Sequence, residues 1–252
     1  MRLISALVPS LLLATALSAC GGGTDSKTTT VDNITATAPV AGKAAPTGTN
    51  WVETVTRTPE GGWRMGNPDA PIKLVEFGSR TCHVCREFAE ASYEPLANKY
   101  VATGKVSFEF RDFLRNGADV SAALVGGCGG TGPFFTILHQ MYVDQPRVLD
   151  VLQKLPQSYY DELGKLPLGQ QATKFAEGAG YLDFVKQRGI PEAKARACLA
   201  DAAAAEQLQK MNEKANVDYP IPGTPTFLIN GKMLENTVSW PQVETALKAA
   251  GA

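Results

Sequence analysis

The sequence has little net charge and, beyond its N-terminus, no long apolar run. Its 24 lysine and arginine residues nearly balance 25 aspartate and glutamate residues, and they are spread thinly over 252 positions. Nucleic-acid-binding proteins carry a basic patch or stripe, so the composition indicates no nucleic-acid partner. Because a membrane-spanning helix needs about 20 consecutive apolar residues, no segment after the N-terminal run is expected to cross a bilayer.

Histidine is also scarce, which restricts the chemistry open to the chain. The two histidines are His83 and His139. A glycine pattern around Cys128 resembles the nucleophile turn of a hydrolase, but His139 follows that cysteine by only 11 residues, too near for its triad. The same glycines resemble a dinucleotide fingerprint, but an alanine-rich helical segment precedes them instead of the required strand. We interpret residues 126–132 as a turn around a structural cysteine, and His139 as a satisfied core or boundary residue.

The N-terminus has the pattern of an export signal. Residues 1–19 combine a basic start with a short apolar run that Pro9 interrupts. This pattern predicts a secretory signal peptide. Residues 17–20, Leu-Ser-Ala-Cys, also resemble the bacterial lipobox, in which the peptide is cut before the cysteine and its thiol is acylated. We therefore expect Cys20 to carry a lipid anchor; the alternative is an ordinary signal peptide with an incidental cysteine.

Residues 20–50 are poor in side chains that build a core. From residue 21 to residue 50 there is no aromatic side chain, and Gly, Thr, Ala and Pro dominate. Such a segment buries too little apolar surface to offset its ordering entropy, so it is predicted to be a flexible tether. Residues 51–252, about 200 positions, are left for one folded domain with or without an insertion.

The chain has five cysteines: Cys20, Cys82, Cys85, Cys128 and Cys198. With Cys20 assigned to the lipid, four remain in a compartment where disulfides persist. Three pairings are possible, and the simplest joins Cys82 to Cys85 and leaves Cys128 with Cys198. In the chain-entropy model the long loop stabilises the fold by roughly 4 kcal/mol and the short loop by about 2 kcal/mol. The short pair is therefore expected to be redox-active and the long pair structural.

The residues around Cys82 and Cys85 argue against two other uses of the pair. Haem attachment requires a histidine directly after the second cysteine, where Arg86 stands. A structural zinc site normally has four nitrogen or sulfur ligands, and Cys82, His83 and Cys85 supply at most three. Binding of Cu(I) by two thiolates stays open as an alternative to a redox-active disulfide.

The pair lies between a predicted strand and a predicted helix. Residues 72–77 form a short apolar run typical of a central strand covered on both faces. After Cys85, apolar residues recur at helical spacing, and Pro95 is expected to kink the helix. The free N–H groups and the dipole at this helix start would stabilise a thiolate at Cys82 and pull its pKa below about 8.5.

With these features the sequence resembles the DsbA-like thiol:disulfide oxidoreductases of the thioredoxin superfamily over most of residues 51–252. The resemblance is carried by GNPDAPIKLVEF at 66–77, CHVC at 82–85, GTPTFLING at 223–231 and a helical stretch before the last of these. It implies an α/β thioredoxin fold, βαβ followed by ββα, with a helical domain inserted at about 117–217. A hairpin signal at residues 230–231 and a capping box at residues 239–242 agree with the second half of that order.

The resemblance also implies roles for three residues outside the cysteine pair. Glu76 occupies the place of an acidic residue beneath the dithiol, and strand alternation makes it at least partly buried. A buried carboxyl would have a raised pKa and could exchange protons with Cys85. Pro225 occupies the place of a cis-proline that lies against the cysteines. Thr224 before it would offer backbone groups to a bound substrate strand.

The residues inside and beside the pair set this chain apart from the family's oxidases. Those oxidases commonly have Pro-His between the cysteines, whereas here His83 comes first and Val84 second. A charged His83 would favour the Cys82 thiolate, and Arg80 is a further source of positive charge nearby. Thr224 is also found in reductase and isomerase branches. The resemblance therefore specifies the fold more closely than the direction of electron flow.

We expect a thiol:disulfide oxidoreductase that exchanges a Cys82–Cys85 disulfide with cysteines of exported proteins, as a disulfide-forming oxidase. The alternatives are a reductase or isomerase of the same fold, or a Cu(I)-binding thiol protein; residues 21–50 offer no dimerisation domain, which argues against an isomerase. No cofactor or metal is expected, since the dithiol carries two electrons. A membrane or soluble redox partner would recycle the pair. The expected setting is a monomer anchored by lipid to a membrane of a Gram-negative bacterium and facing the periplasm.

Overall fold

The computed structural model describes residues 38–252, except for the side chain of Leu168. The strands in this part of the chain are β1 (Val55–Arg57), β2 (Trp63–Met65), β3 (Ile72–Gly78), β4 (Val106–Asp112), β5 (Thr226–Ile229) and β6 (Lys232–Met233). The α-helices are α1 (His83–Pro95), α2 (Gly117–Gly127), α3 (Phe134–Lys154), α4 (Gln157–Leu163), α5 (Leu168–Ala179), α6 (Tyr181–Lys186), α7 (Glu192–Ala200), α8 (Ala202–Asp218) and α9 (Trp240–Ala249).

The strands form one mixed sheet in the order β1-β2-β4-β3-β5-β6. Strands β3 and β4 are parallel, and β5 runs antiparallel to β3 and to β6. The succession β3-α1-β4 followed by β5-β6-α9 is the predicted βαβ–ββα order, so the thioredoxin fold is confirmed. Helices α2 to α8, residues 117–218, are inserted between β4 and β5, close to the predicted insertion at 117–217.

Strand β3 is the central strand that its apolar sequence predicted. Every residue of β3 except Lys73 is buried. Its Ile72 and Leu74 belong to the core that α1 and α9 cover. Its Val75 and Phe77 point to the opposite face and pack against residues around α8. The strand is therefore covered on both sides, which holds the loop that follows it in a fixed place.

The helix after β3 changes from α to π geometry at Pro95, the residue at which the sequence predicted a kink. Helix α1 ends at Pro95, and a wider π-type turn, Leu96–Tyr100, continues the path. Proline has no backbone N–H to bond the carbonyl one turn earlier, so the regular hydrogen-bond ladder breaks there.

A short hairpin at the N-terminal side of the sheet was not predicted. Strand β2 pairs antiparallel with both β1 and β4. Its Trp63 stacks on Phe134 of α3, with ring centroids 4.1 Å apart. Strands of three residues are too short for alternation to reveal them in a sequence. The hairpin extends the sheet and ties it to the inserted helices.

The inserted helices have a core of their own. Residues of α2, α3, α5, α6 and α7 pack together in it. A disulfide joins Cys128 to Cys198 beside this core, with an S–S distance of 2.01 Å and Cα atoms 6.0 Å apart. This is the pairing that the cysteine count favoured, and it links the end of α2 to α7.

The C-terminal ββα unit has the local signals that the sequence predicted. Asn230 and Gly231 have φ angles of 50° and 81°, which is the left-handed pair of a type I′ hairpin. The capping box is present: the Ser239 N–H donates to Gln242 Oε1 at 3.0 Å. Helix α9 therefore begins where the sequence placed its start.

The segment before Trp51 contacts the domain. Residues 38–50 contain no helix or strand, but the Val40 N–H donates to the Gly251 carbonyl at 2.8 Å and Trp51 Nε1 donates to the Lys43 carbonyl at 2.6 Å. Parts of residues 38–50 are therefore held against the domain by backbone hydrogen bonds, and the domain boundary at residue 51 stays a prediction. The predicted signal peptide, Cys20 and the first part of the tether lie outside the described residues. Within residues 38–252 no helix is both long enough and apolar enough to cross a bilayer.

Candidate active site

Cys82 and Cys85 lie at the start of α1, and both are free thiols in this structure. Cys82 is the N-cap residue and Cys85 lies one turn further in. Cys82 is only 4 % exposed, and Cys85 is fully buried. The loop around Pro225 covers Cys82, whose Sγ donates a hydrogen bond to the Thr224 carbonyl at 3.1 Å.

The surroundings of Cys82 favour its thiolate. They lower the pKa of the thiol from 9.0 to about 5. The largest cause is a hydrogen bond from the Cys85 thiol; burial opposes it, and the Thr224 side chain and the N–H groups of Cys85 and Val84 add further hydrogen bonds. These N–H groups are the unpaired donors of the helix start that the sequence predicted. Cys82 is thus a thiolate at neutral pH.

Cys85 has the opposite environment. Burial, the hydrogen bond that it gives to Cys82 and the negative charges of Glu76 and Cys82 raise its pKa well above 9.0. The reduced pair therefore consists of one thiolate and one thiol that share a hydrogen bond. A nucleophilic sulfur and a protonated resting sulfur are what stepwise disulfide exchange requires.

Glu76 lies on β3 and is only 2 % exposed, so its predicted burial is confirmed. Burial, followed by the negative charges of Cys82 and Asp112, raises its pKa well above 4.5. Among the residues described, its Oε1 finds no hydrogen-bond partner. A protonated carboxyl beside a buried thiol is able to exchange a proton with it.

The Thr224–Pro225 peptide bond is cis, as the family resemblance implied. The Thr224 carbonyl accepts from the Cys82 thiol, as noted above. The Thr224 hydroxyl is buried and makes no hydrogen bond within the described part of the chain, but its position beside Cys82 lowers the pKa of that thiol. One threonine thus places both an acceptor, its carbonyl, and a potential donor, its hydroxyl, beside the Cys82 sulfur.

The two predicted sources of positive charge differ in their placement. His83 is solvent-exposed as the first residue of α1, and its tuning role stays a prediction. The prediction for Arg80 is wrong. Its side chain is 1 % exposed and its Nε lies 2.6 Å from Asp112 Oδ1, so its charge is paired in the core instead of facing Cys82. Burial of a guanidinium requires such a partner.

Two residues of the insertion that the sequence did not identify hold the loop before Cys82. Gln145 of α3 donates through Nε2 to the carbonyls of Arg80 and Cys82, at 2.9 and 3.0 Å. Asp119 of α2 accepts from the Thr81 N–H at 3.0 Å and from the Ser79 hydroxyl at 2.9 Å. These partners lie between 38 and 65 residues apart in the chain, so no local sequence pattern reveals them.

Metal binding was the alternative use of the cysteines. In residues 38–252 no three His, Cys, Asp or Glu side chains are grouped so as to hold a metal ion. Two thiolates from Cys82 and Cys85 could bind Cu(I), but the raised pKa of Cys85 means that a metal would have to displace a tightly held proton.

Comparisons with known proteins agree with this geometry. The family model described as thioredoxin matches residues 58–249. A putative protein-disulfide oxidoreductase of Rickettsia bellii is 26 % identical over 172 residues, 68 % of this chain and 58 % of the relative. Disulfide bond formation protein D of Bacillus subtilis is 20 % identical over 192 residues, 73 % of this chain and 74 % of the relative. The chain thus spans a little over half the length of the rickettsial relative.

Solved structures share the fold. A protein-disulfide isomerase from Novosphingobium aromaticivorans superposes with a TM-score of 0.71 at 28 % identity, covering 74 % of this chain and 95 % of that one. The alpha-DsbA1 protein of Wolbachia pipientis gives a TM-score of 0.55 at 18 % identity, covering 75 % and 90 %. The mixed sheet with inserted helices is therefore an arrangement that this chain has in common with DsbA-like structures.

Proposed function

This chain belongs to the thioredoxin family, and from that premise we propose that it is a thiol:disulfide oxidoreductase acting on cysteines of exported proteins through Cys82 and Cys85. The observation that carries the proposal is that the two thiol pKa values are shifted in opposite directions. That of Cys82 is about 5, and that of Cys85 is well above 9.0. Two cysteines with a purely structural role need no such difference in pKa. Thiol–disulfide exchange, in contrast, needs one sulfur that is both a good nucleophile and a good leaving group.

In the oxidising direction a substrate thiolate attacks the Cys82 sulfur of the Cys82–Cys85 disulfide. A substrate–Cys82 bond forms, the Cys82–Cys85 bond breaks, and Cys85 leaves with the electron pair. Its high pKa makes it take up one proton, for which the Glu76 carboxyl is the neighbouring donor. A second substrate thiolate then attacks the substrate sulfur, and Cys82 leaves as a stabilised thiolate. The substrate loses two electrons and two protons; the pair gains two electrons and one proton, and the other proton goes to solvent.

The stabilised Cys82 thiolate supports the oxidase direction. A pair whose reduced form is stabilised gives up its disulfide readily, which makes it a strong oxidant. The hydrogen bonds from Cys85, Thr224 and the helix N–H groups all stabilise the reduced form. We therefore place disulfide formation ahead of disulfide reduction.

Isomerisation is the second candidate. The Novosphingobium protein, which has the higher TM-score of the two structures named above, is described as a protein-disulfide isomerase. An isomerase would attack incorrect substrate disulfides with the reduced Cys82 thiolate. The same sulfur would therefore be the nucleophile in isomerisation. The reduction potential separates the two, because an isomerase must stay largely reduced in its compartment.

The setting of the protein is also part of the proposal. The export signal at residues 1–19 and the lipobox cysteine Cys20 support a lipid-anchored protein facing the periplasm of a Gram-negative bacterium. The substrates there would be exported proteins, and a separate membrane or soluble redox protein would reoxidise the pair. We propose that the chain acts as a monomer.

The decisive measurement is the reduction potential of the Cys82–Cys85 couple in glutathione buffers, with refolding assays on a reduced and a scrambled disulfide protein. We expect a potential well above thioredoxin's value of about −270 mV and faster oxidation of the reduced protein than repair of the scrambled one. A reduction potential near −270 mV would exclude the proposal that the protein is a disulfide-forming oxidase. Tight stoichiometric Cu(I) on the dithiol, with little exchange activity, would replace the enzyme by the copper-binding alternative.

A further inference from the structure

A small, partly open cavity lies between the sheet, α1 and α3. Its volume is about 30 Å³, and most of its wall is apolar. The polar residues on the wall are Glu76, Ser92, Tyr93, His139 and Tyr142. A water molecule needs about 10–15 Å³ of such space and two or more polar partners, so the cavity can hold about two water molecules.

Two residues on this wall have buried polar atoms without a partner. Within residues 38–252, Glu76 Oε1 and His139 Nδ1 are two of the few buried side-chain atoms that make no hydrogen bond. Leaving such an atom unsatisfied costs about 1–3 kcal/mol, so each calls for an explanation such as an ordered water. The expectation that His139 is a satisfied residue is therefore wrong. Its ring stacks on Tyr93 at 4.0 Å, but its Nδ1 has no protein partner.

The two residues lie at different depths. Glu76 is only 2 % exposed on the central strand, under the dithiol. His139 is half-buried on α3, and its stacking partner Tyr93 on α1 is half-buried as well. Ser92 adds a buried hydroxyl to the same wall. The cavity is thus lined both by the buried Glu76 and by the half-buried His139.

The chemistry of the site requires a proton path of this kind. When the Cys82 thiolate enters a mixed disulfide, its negative charge disappears, and this charge is one cause of the raised pKa of Glu76. Glu76 can then lose its proton, accept the proton of Cys85 and free that sulfur to attack. Cys85, whose proton must be removed, is fully buried and has no direct contact with water.

We propose that water in this cavity carries protons between Glu76 and His139, so that His139 connects the buried active site to solvent. The inference rests on the proposed exchange function and adds a relay residue to it. A neutral imidazole can accept a proton on one nitrogen and release one from the other.

The charged groups around His139 and around Glu76 are compatible with proton transfer between these two residues. Burial lowers the pKa of His139, while Glu90 and Glu94 on α1 act in the opposite direction, so the ring is neutral at neutral pH. Glu76 interacts electrostatically with the carboxylate of Asp112 on β4. It also interacts with three other titratable groups, those of Cys82, Cys85 and Tyr142.

The test follows two phases in one reaction. Reduced full-length protein is mixed rapidly with the aromatic disulfide 5,5′-dithiobis(2-nitrobenzoate), and the yellow thiolate is followed. In the first phase the Cys82 thiolate breaks the reagent's S–S bond, forms a mixed disulfide and releases one aryl thiolate. In the second, Cys85 loses its proton, attacks Cys82 and releases the other aryl thiolate. Only the second phase depends on removing a proton from the buried site.

The variants are His139→Phe, which keeps a ring against Tyr93, and His139→Gln, with Tyr93→Phe as the matched control. We expect both His139 variants to slow the second phase about tenfold, less than the roughly hundredfold or greater loss on removing a general acid or base itself, and to leave the first phase unchanged. The pH profile of the second phase should lose its inflection below pH 6.5 in these variants. In a Glu76→Gln background His139→Phe should have no further effect, because both act on one path.

Each other outcome has a defined meaning. If the second phase of both His139 variants equals that of the wild type, or if His139→Phe slows the Glu76→Gln protein as much as the wild type, the relay is overturned and the exchange function stands. If the wild-type protein has no first phase, the proposed function itself fails.

Discussion

The carbonyl oxygen of Thr224 lies 3.1 Å from the sulfur of Cys82, 142 residues away in the chain. The hydroxyl of the same threonine is buried, and it lowers the pKa of the Cys82 thiol. The loop before β5 therefore does more than cover the active site, since its threonine contributes to the pKa of the nucleophile.

Replacing Thr224 with valine should raise the pKa of Cys82. The substitution keeps the shape of the side chain but removes the donor to the thiolate, and a hydrogen bond to a charged group is worth about 1.5–3 kcal/mol, or about one pKa unit or more. The pKa is measured from the thiolate absorbance near 240 nm as a function of pH. The matched control is Thr226→Val, which removes a hydroxyl bonded to the Gly223 carbonyl in the same loop. An unchanged pKa in Thr224→Val would show that the hydroxyl does not reach the sulfur.

The stability of the reduced protein should depend on pH through Cys82. The folded pKa of about 5 lies below the ordinary value of 9.0, so the unfolded chain binds more protons between these pH values. The stabilising contribution is therefore fully present above pH 9 and is lost as the pH falls through about 5. We expect the free energy of unfolding of the reduced wild type, minus that of Cys82→Ala, to rise from pH 5 to pH 9 in urea titrations. A flat difference would contradict the lowered pKa.

Much of the fold could be predicted from local sequence patterns. The apolar run of residues 72–77, the turn at residues 230–231 and the capping box at residues 239–242 each specify their own structure, since the interactions that form them are a few residues apart. The hairpin β1–β2 was missed because its strands have three residues each.

The active site could be predicted only in part. The cysteine pair and the start of α1 are adjacent in sequence, so the lowered pKa of Cys82 followed from the sequence. The family resemblance placed Pro225 against the cysteines, but the hydrogen bond between Cys82 and the Thr224 carbonyl was not predicted, because the two residues are 142 positions apart. Arg80 was misplaced for the same reason, since its partner Asp112 stands on β4. Pairs that form between distant segments leave no spacing pattern to read.

The two cysteines of the pair should behave differently when each is replaced. In Cys85→Ala the Cys82 thiolate can still form a mixed disulfide, but the internal thiol that would release it is gone. We expect this variant to accumulate mixed disulfides with substrate proteins, visible on non-reducing gels. In Cys82→Ala the remaining Cys85 is buried with a high pKa, so trapping and turnover should both be lost. Trapping by Cys82→Ala at the wild-type rate would mean that the nucleophile is Cys85.

The Cys128–Cys198 disulfide should resist reductant that opens the Cys82–Cys85 pair. It closes a loop across 70 positions, which in the chain-entropy model stabilises the fold by about 4 kcal/mol, and Cys128 lies in the core of the insertion. Peptide mapping after graded dithiothreitol should show two separate reduction steps, with Cys82 and Cys85 labelled first. A single step, or a free Cys128 in native exported protein, would contradict a structural bridge.

Gln145 of α3 should stabilise the loop before Cys82, which it contacts directly. Its amide is buried and donates to the carbonyls of Arg80 and Cys82. Gln145→Leu removes both bonds and should destabilise the protein by about 2 kcal/mol, measured by urea unfolding. Because the start of α1 loses its support, the pKa of Cys82 should also rise. The matched control is Gln140→Leu on the same helix, where the lost partner is Arg188; it should leave that pKa unchanged. An equal pKa in both variants would restrict Gln145 to a role in stability.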